Sequence, residues 1–153
     1  MDPREAILAR LLIVAGEVDT TLSPIRNESD PAAANLPAVI LFDGEETARD
    51  TDPRGRTALT TPRLVDMTPE VQFRLKAKDD DVGTKLNLLR AKLIKAVMSD
   101  AQLLASTANG QAIRYQGSMT ATERGRSMEG GIGVAFTFTY AMRPEALVDT
   151  VTA

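Results

Sequence analysis

The sequence predicts an α+β domain, with a mostly antiparallel sheet, two helices packed on one face and a long charged loop. Three patterns indicate this class. Residues 70–78 alternate between polar and apolar side chains, the pattern of a strand with one buried face. Residues 82–99 repeat apolar side chains at helical spacing. Residues 131–142 alternate large side chains with small ones and form the clearest strand of the chain.

Composition limits what the chain can do. Its 153 residues suit a single domain spanning 1–153, and no apolar run approaches the ~18 residues of a membrane span. The net charge of −3 gives no general attraction to nucleic acid or to an anionic membrane. The chain has no cysteine and no histidine, which excludes disulfides, thiolate metal sites and the commonest acid–base side chain. We expect a protein without cofactor, metal or enzymatic activity, made in a cytoplasm.

The chain begins with a predicted helix over residues 3–16. Asp2 suits its N-cap, and Pro3 suits the first helical position. A weaker strand over residues 18–26 follows, and Pro24 favours an edge position for it because proline cannot donate to a central ladder.

A central strand is predicted after a loop over residues 27–35. Residues 37–42 are a continuous apolar run closed by the turn dipeptide Asp43–Gly44. This pattern is typical of a strand covered on both faces. We therefore expect helices or a neighbouring subunit to lie over it.

Residues 45–62 are charged and show no period. A structureless stretch of this length is uncommon in a compact domain and is usually functional or disordered. Three interpretations stay open: a mobile loop, a loop that orders against another copy or another protein, and a catalytic lid. If the loop orders against another copy or another protein, its charged residues and the preceding aspartate are interface candidates: Asp43, Glu45, Glu46, Arg49, Arg54 and Arg56.

Three consecutive aspartates, Asp79–Asp81, precede the second helix. Adjacent residues cannot all turn towards one metal ion, and the spacing of a calcium loop is absent. We interpret Asp80 or Asp81 as the N-cap of the helix, where the helix dipole favours an acidic group.

The second helix is predicted over residues 82–99 with one apolar and one basic side. The basic residues Lys85, Lys92 and Lys95 lie opposite the apolar stripe, and the helix has no acidic residue. This side is either a solvated face or a surface for an acidic partner. Nucleic acid is less favoured as that partner, because no aromatic residues interleave with the lysines. The predicted apolar stripe is Leu86, Leu89, Leu93 and Val97, widened by Leu88, Ile94 and Met98.

The last third predicts a loop over residues 102–110 and a hairpin of two strands, 113–123 and 131–142. Residues 145–153 form a short tail. Alternation places four residues of the first hairpin strand on the same side, namely Ile113, Tyr115, Met119 and Ala121.

This order of elements resembles a tail terminator of long-tailed bacteriophages, a family also called minor tail protein U or tail completion protein. The resemblance lies in the helix 4–15, the strand 36–45, the strand–helix unit 68–98 and the closing strand 134–143.

The resemblance implies a non-enzymatic virion protein. Members of the family form a hexameric ring at the head-proximal end of the tail tube, stop tube growth and join the tail to the head connector. The implied partners are further copies, the tail tube protein and the head–tail connector protein. DNA would pass through the lumen without sequence-specific binding, and no membrane is involved. A ring contact is heterologous, and the acids of residues 43–52 with the basic residues of 85–95 are candidates for a matching pair.

Two alternatives remain open. The first is a head–tail connector or stopper protein. The second is a small-molecule-binding or enzymatic α+β domain with a carboxylate site. A ring of about six copies favours the tail terminator, whereas a monomer or dimer with a deep pocket favours the binding domain or enzyme.

Overall fold

A computed structural model describes residues 1–49, 57–76, 81–122 and 130–148. Its helices and strands are α1 (Pro3–Glu17), β1 (Ser23–Arg26), β2 (Ala38–Ala48), β3 (Arg63–Leu75), α2 (Val82–Ser99), α3 (Ala101–Ala105), β4 (Ile113–Thr122) and β5 (Gly130–Met142). The strands form one sheet in the order β1-β2-β3-β5-β4. Strand β1 is parallel to β2, and the other neighbours are antiparallel. The helices pack on one face, so the α+β prediction is confirmed.

The two long helices lie where the periodicity predicts them. The carboxylate of Asp2 caps α1 by accepting a hydrogen bond from the Arg4 amide at 2.9 Å. Helix α2 buries the predicted stripe of Leu86, Leu89, Leu93 and Val97. Leu88, however, is 54% exposed, so the predicted widening of the stripe is wrong at this residue.

The predicted N-cap of α2 is confirmed in position at Asp81 but not in its hydrogen bond. Asp81 holds the N-cap position but makes no capping hydrogen bond with its carboxylate. Asp79 and Asp80 lie outside the described residues.

The predicted loop over residues 102–110 is wrong at its start, where α3 begins at Ala101. Asp100 caps α3 by accepting a hydrogen bond from the Leu103 amide at 2.9 Å. Arg10 of α1 binds the same carboxylate at 2.7 and 3.0 Å. The hydrogen bonds from Arg10, and to a smaller extent the one from the Leu103 amide, hold the pKa of Asp100 below its usual value. One carboxylate thus joins the α2–α3 corner to α1.

Strand β2 is buried on both faces near its start, as predicted. Val39 and Leu41 face the helices. The second cover is the chain's own segment 27–37 and not a neighbouring subunit, and Arg74 fixes it by donating to the Ser29 carbonyl at 2.9 Å. The cluster under this segment consists of Leu36, Ala38 and Ile40, with Ile25 and Phe42 packed against it.

The edge position predicted from Pro24 is confirmed, although β1 begins only at Ser23. The predicted loop over residues 45–62 is wrong in its first part, because β2 continues to Ala48 and pairs with β3. Residues 50–56 of that loop lie outside the described residues.

Strand β3 is longer than predicted and runs through Pro69, which has no N–H to donate. The ladder with β5 is interrupted beside this proline, and the hydroxyl groups of Thr68 and Thr137 bond across the gap at 2.9 Å. On the other side, β2 bulges between Phe42 and Glu45. The proline therefore lies where both neighbouring ladders are irregular, and such a position tolerates a residue without an N–H.

A second bulge corrects the predicted faces of β4. The register shifts between Tyr115 and Gly117, so Met119 lies opposite Gly133 and not on the side of Ile113. One extra residue in a strand inverts the alternation beyond it.

The large and the small side chains of β5 lie on opposite faces of the sheet, as the alternation of residue size predicts. The large side chains are buried against the helices, and the small ones lie on the opposite face of the sheet. The buried set consists of Ile132, Val134, Phe136, Phe138 and Tyr140.

The bulge in β2 depends on Gly44. Its φ angle is 73°, and a Cβ atom there would lie 2.0 Å from the carbonyl oxygen of Thr68. We expect Gly44→Ala to lower the free energy of unfolding by roughly 1–3 kcal/mol, measured by urea unfolding.

Gly83→Ala is the matched control, because Gly83 lies inside α2 and has no heavy atom within 4 Å of an added Cβ. This change should raise the free energy of unfolding by about 0.5–1 kcal/mol. Equal stability of Gly44→Ala and the parent would contradict the close approach at the bulge.

Candidate interaction surfaces

Asp43, an interface candidate, is bound within its own subunit. Arg26 donates to Asp43 through Nε and Nη2 at 2.9 and 3.0 Å, and to Glu5 through Nη1 and Nη2 at 2.7 and 2.8 Å. The hydrogen bonds from Arg26 hold the pKa of Asp43 below its usual range, and the two carboxylates raise the pKa of Arg26. Asp43 therefore ties β2 to β1 and α1, and its charge is compensated internally.

Glu45 and Glu46, the next two acidic interface candidates, lie on opposite faces of the sheet. Glu46 pairs with Met67 on the helix side and accepts a hydrogen bond from the hydroxyl group of Tyr140. Burial, followed by the hydrogen bond to Glu46, raises the pKa of Tyr140. Glu45 pairs with Thr68 and lies on the face away from the helices. Of these two acids, only Glu45 is placed on the uncovered side.

Arg49 is also engaged within the subunit. Its Nε atom donates to Asp66 at 2.8 Å, and the hydroxyl group of Thr139 donates to the other oxygen of that carboxylate. Burial would raise the pKa of Asp66, but the hydrogen bonds from Thr139 and Arg49 hold it below its usual value. Arg54 and Arg56 lie outside the described residues.

The basic face of α2 is defined here as Lys85, Leu88, Lys92 and Lys95. All four side chains are exposed. The spacing of three, four and three residues places them on one side of the helix, with the leucine between the lysines. Lys92 also borders a shallow groove of about 330 Å³ shared with Glu17 of α1. The face therefore combines positive charge with one exposed apolar side chain.

The fourth basic residue of α2 points elsewhere. Arg90 donates to the hydroxyl groups of Ser118 at 3.1 Å and Tyr115 at 3.3 Å, and its guanidinium lies 5.6 Å from the centre of the Tyr115 ring. Arg90 therefore fastens α2 to the edge strand β4 and is not part of the basic face.

The structure does not bring the predicted acidic and basic residues together within one subunit. Glu46 lies beside Tyr140, near the end of β5. Lys85 lies in the first turn of α2, which packs on Gly130 at the start of β5. At ~3.4 Å per residue, these two points on β5 are roughly 30 Å apart. Pairing between Glu46 and Lys85 therefore needs a second copy.

One surface was not predicted from the sequence. On the sheet face away from the helices, beyond the segment 27–37, lies a shallow groove of about 420 Å³, which we call the open groove. The Glu70 side chain lies across Gly133, where a Cβ atom would come within 2.0 Å of its carboxylate. The open groove is lined by Glu70, Gln116, Gly117, Met119, Gly133 and Ala135.

Part of the open groove could have been found in the sequence. Alternation in β3 already places Glu70 opposite the buried side, and the small residues of β5 share that side. Met119 could not have been assigned to it, because the bulge that turns Met119 over has no sequence signal beyond Gly117.

No protein-family model matches the chain, and no curated protein matches it significantly. In the described parts of the chain, no helix is both long and apolar enough to cross a membrane. Across residues 1–49, 57–76, 81–122 and 130–148, no three acidic side chains converge in a way that could hold a metal ion.

The ion pair of Asp43 predicts a pH dependence of stability. Because its pKa is lower in the folded state, the stabilisation is complete above the unfolded pKa of about 3.9 and is lost as the pH falls through the lower folded value. We expect Asp43→Asn to lower the free energy of unfolding by about 1 kcal/mol at pH 7, and the difference from the parent to vanish near pH 2.

Urea unfolding at both pH values measures this difference. Glu28→Gln is the control, since Glu28 is exposed, and it should leave stability unchanged at both. A loss for Asp43→Asn that is equal at pH 7 and near pH 2 would show that packing, and not charge, is responsible.

Proposed function

We propose that this chain is a non-enzymatic structural subunit of a bacteriophage tail, a tail terminator. In this proposal it forms a ring at the head-proximal end of the tail tube, stops tube growth and joins the tail to the head connector. Its partners are further copies, the tail tube protein and the head–tail connector protein. DNA passes through the lumen without sequence-specific contacts, and the protein resides in the virion.

The observation that supports this proposal is the presence of two unlike exposed surfaces on opposite layers. The basic face of α2 lies on the helix layer, and the open groove lies on the far side of the sheet. A ring subunit needs two different patches, because each of its contacts is heterologous. A second support is the element order, which agrees with the features on which the resemblance rests.

Assembly is tested by reversing the charge of the basic face. Exposed ion pairs contribute only ~0–1 kcal/mol each, so single substitutions at Lys85, Lys92 or Lys95 should have little effect. The triple change to Glu should abolish ring formation at moderate salt, because like charges would then meet at every repeat. Native mass spectrometry and sedimentation measure ring formation.

The triple change to Gln is the matched control and should weaken assembly without abolishing it. A triple Glu variant that folds and assembles as well as the parent would identify the basic face as a solvated surface.

The terminator role itself is tested with purified tail tubes. Electron microscopy should show the ring at one end of each tube, and its addition should stop further growth of the tube. A ring that binds the head connector but not the tube would favour a connector or stopper protein. A monomer would contradict the proposal.

A further inference from the structure

Two carboxylates on the uncovered half of the sheet are not neutralised by a cation among the described residues. Glu70 accepts a hydrogen bond of 3.2 Å from the amide group of Gln72. Glu45, one strand away on the same face, is exposed to solvent. Asp66 on this face is different, because Arg49 neutralises it. The negative charge of the open groove therefore comes from Glu70, whereas Arg114 of β4, on the same face, lies 3.8 Å from Asp66.

The floor of the open groove allows another chain to approach closely. It is made of Gly117 and Ala135, which raise little or no side chain above the sheet, and Gly133 beside them lies under the Glu70 side chain. Met119, which is 78% exposed, forms an apolar wall beside it. Methionine is flexible and adapts well to an apolar partner. A partner that fits this surface therefore carries an apolar side chain for the floor and a positive charge for Glu70.

The basic face of α2 has this chemistry. Leu88 is 54% exposed, and Lys92 and Lys95 lie beside it on a helix without acidic residues. Neither surface suits a copy of itself, because lysines would meet lysines and carboxylates would meet carboxylates. Charge therefore favours a contact between the basic face of one copy and the open groove of another.

Helix geometry sets the angle between these two surfaces. At 3.6 residues per turn, the centre of the basic face lies about 125° around α2 from the centre of the buried stripe that points at the sheet. The open groove lies beyond the sheet and continues the direction of that stripe. In a ring of six, the two contact surfaces of each subunit diverge by about 120°. An angle of this size between the basic face and the open groove is compatible with a closed ring of about six copies.

We propose that the open groove of each copy receives the basic face of α2 from the next copy. Leu88 lies on the glycine and alanine floor beside Met119, and the lysines of its face approach Glu70 and Glu45. This inference rests on the proposed ring and specifies which surfaces form its subunit contact.

Cross-linking between single cysteines tests this contact, and the parent chain gives no background because it has no cysteine. One preparation carries Leu88→Cys and the other Met119→Cys. A short bis-maleimide reagent should link them into dimers only when the two preparations are mixed. The double variant should give a ladder of products that ends at the number of copies in the ring.

Ile13→Cys is the matched control, since Ile13 is 51% exposed but lies on α1. Mixed with the Met119→Cys preparation, it should give no dimer. Equal cross-linking from Ile13→Cys and Leu88→Cys would overturn the inference. So would an absent cross-link in preparations that form intact rings by native mass spectrometry, and that result would leave the proposed ring standing.

A charge exchange provides a second readout. Glu70→Lys should raise the concentration needed for assembly at least about tenfold, because the lysines of the neighbour would then face a like charge. Adding Lys95→Glu to this variant should restore part of the loss. Unchanged assembly of Glu70→Lys would overturn the inference. A ladder of cross-linked products from rings that do not bind tail tubes would support this contact and contradict the terminator role.

Discussion

The proline in the middle of the central strand determines how the sheet is built. Strand β3 pairs with both β2 and β5, and Pro69 offers no N–H to either neighbour. Next to this proline, β2 has a bulge at Gly44, and the hydroxyl groups of Thr68 and Thr137 form a hydrogen bond across the gap in the ladder with β5. Because a bulge inverts the alternation beyond it, the end of β2 has its faces exchanged. This exchange sends Glu46 towards Tyr140 and leaves the preceding glutamate on the uncovered side.

Unequal cover of the sheet explains where an interaction surface can form. The helices pack on one face, whereas the segment 27–37 covers the other face only near β1 and β2. In the half formed by β3, β5 and β4, Gly133 and Ala135 stay partly exposed, while Thr137 and Thr139 are buried. The bulge at Gly117 adds Met119 to that half and leaves Tyr115 on the helix side, where Arg90 binds it. Two bulges and one short cover thus produce a partly apolar groove with the carboxylate of Glu70 at its side.

The sequence was sufficient for the elements that have a long and regular period. Helix α1, helix α2 and strand β5 follow their hydrophobic patterns closely. It was insufficient where one residue changes the period, as at Gly44 and Gly117, because the residues after a bulge read as the wrong face or as a loop. It was also insufficient for Asp43, whose partner Arg26 arrives through the parallel pairing of β1, a tertiary contact. The exposure of Leu88, by contrast, follows from the helical period, because at 3.6 residues per turn it lies on the side of α2 away from the buried stripe.

The positive and negative surfaces of this chain lie on opposite layers, so the contacts of the proposed ring have a defined orientation. The lysines of α2 and the carboxylates of the uncovered sheet lie on opposite layers, at least ~10 Å apart. This is at or beyond the screening length of about 8 Å at physiological salt, so the two groups interact weakly within one subunit. In the proposed contact, a second copy brings the two groups together. The net charge of −3 hides this arrangement, because it averages over two surfaces of opposite sign. In the proposed ring, this distribution distinguishes a correct neighbour from a reversed one, because only the correct orientation brings opposite charges together.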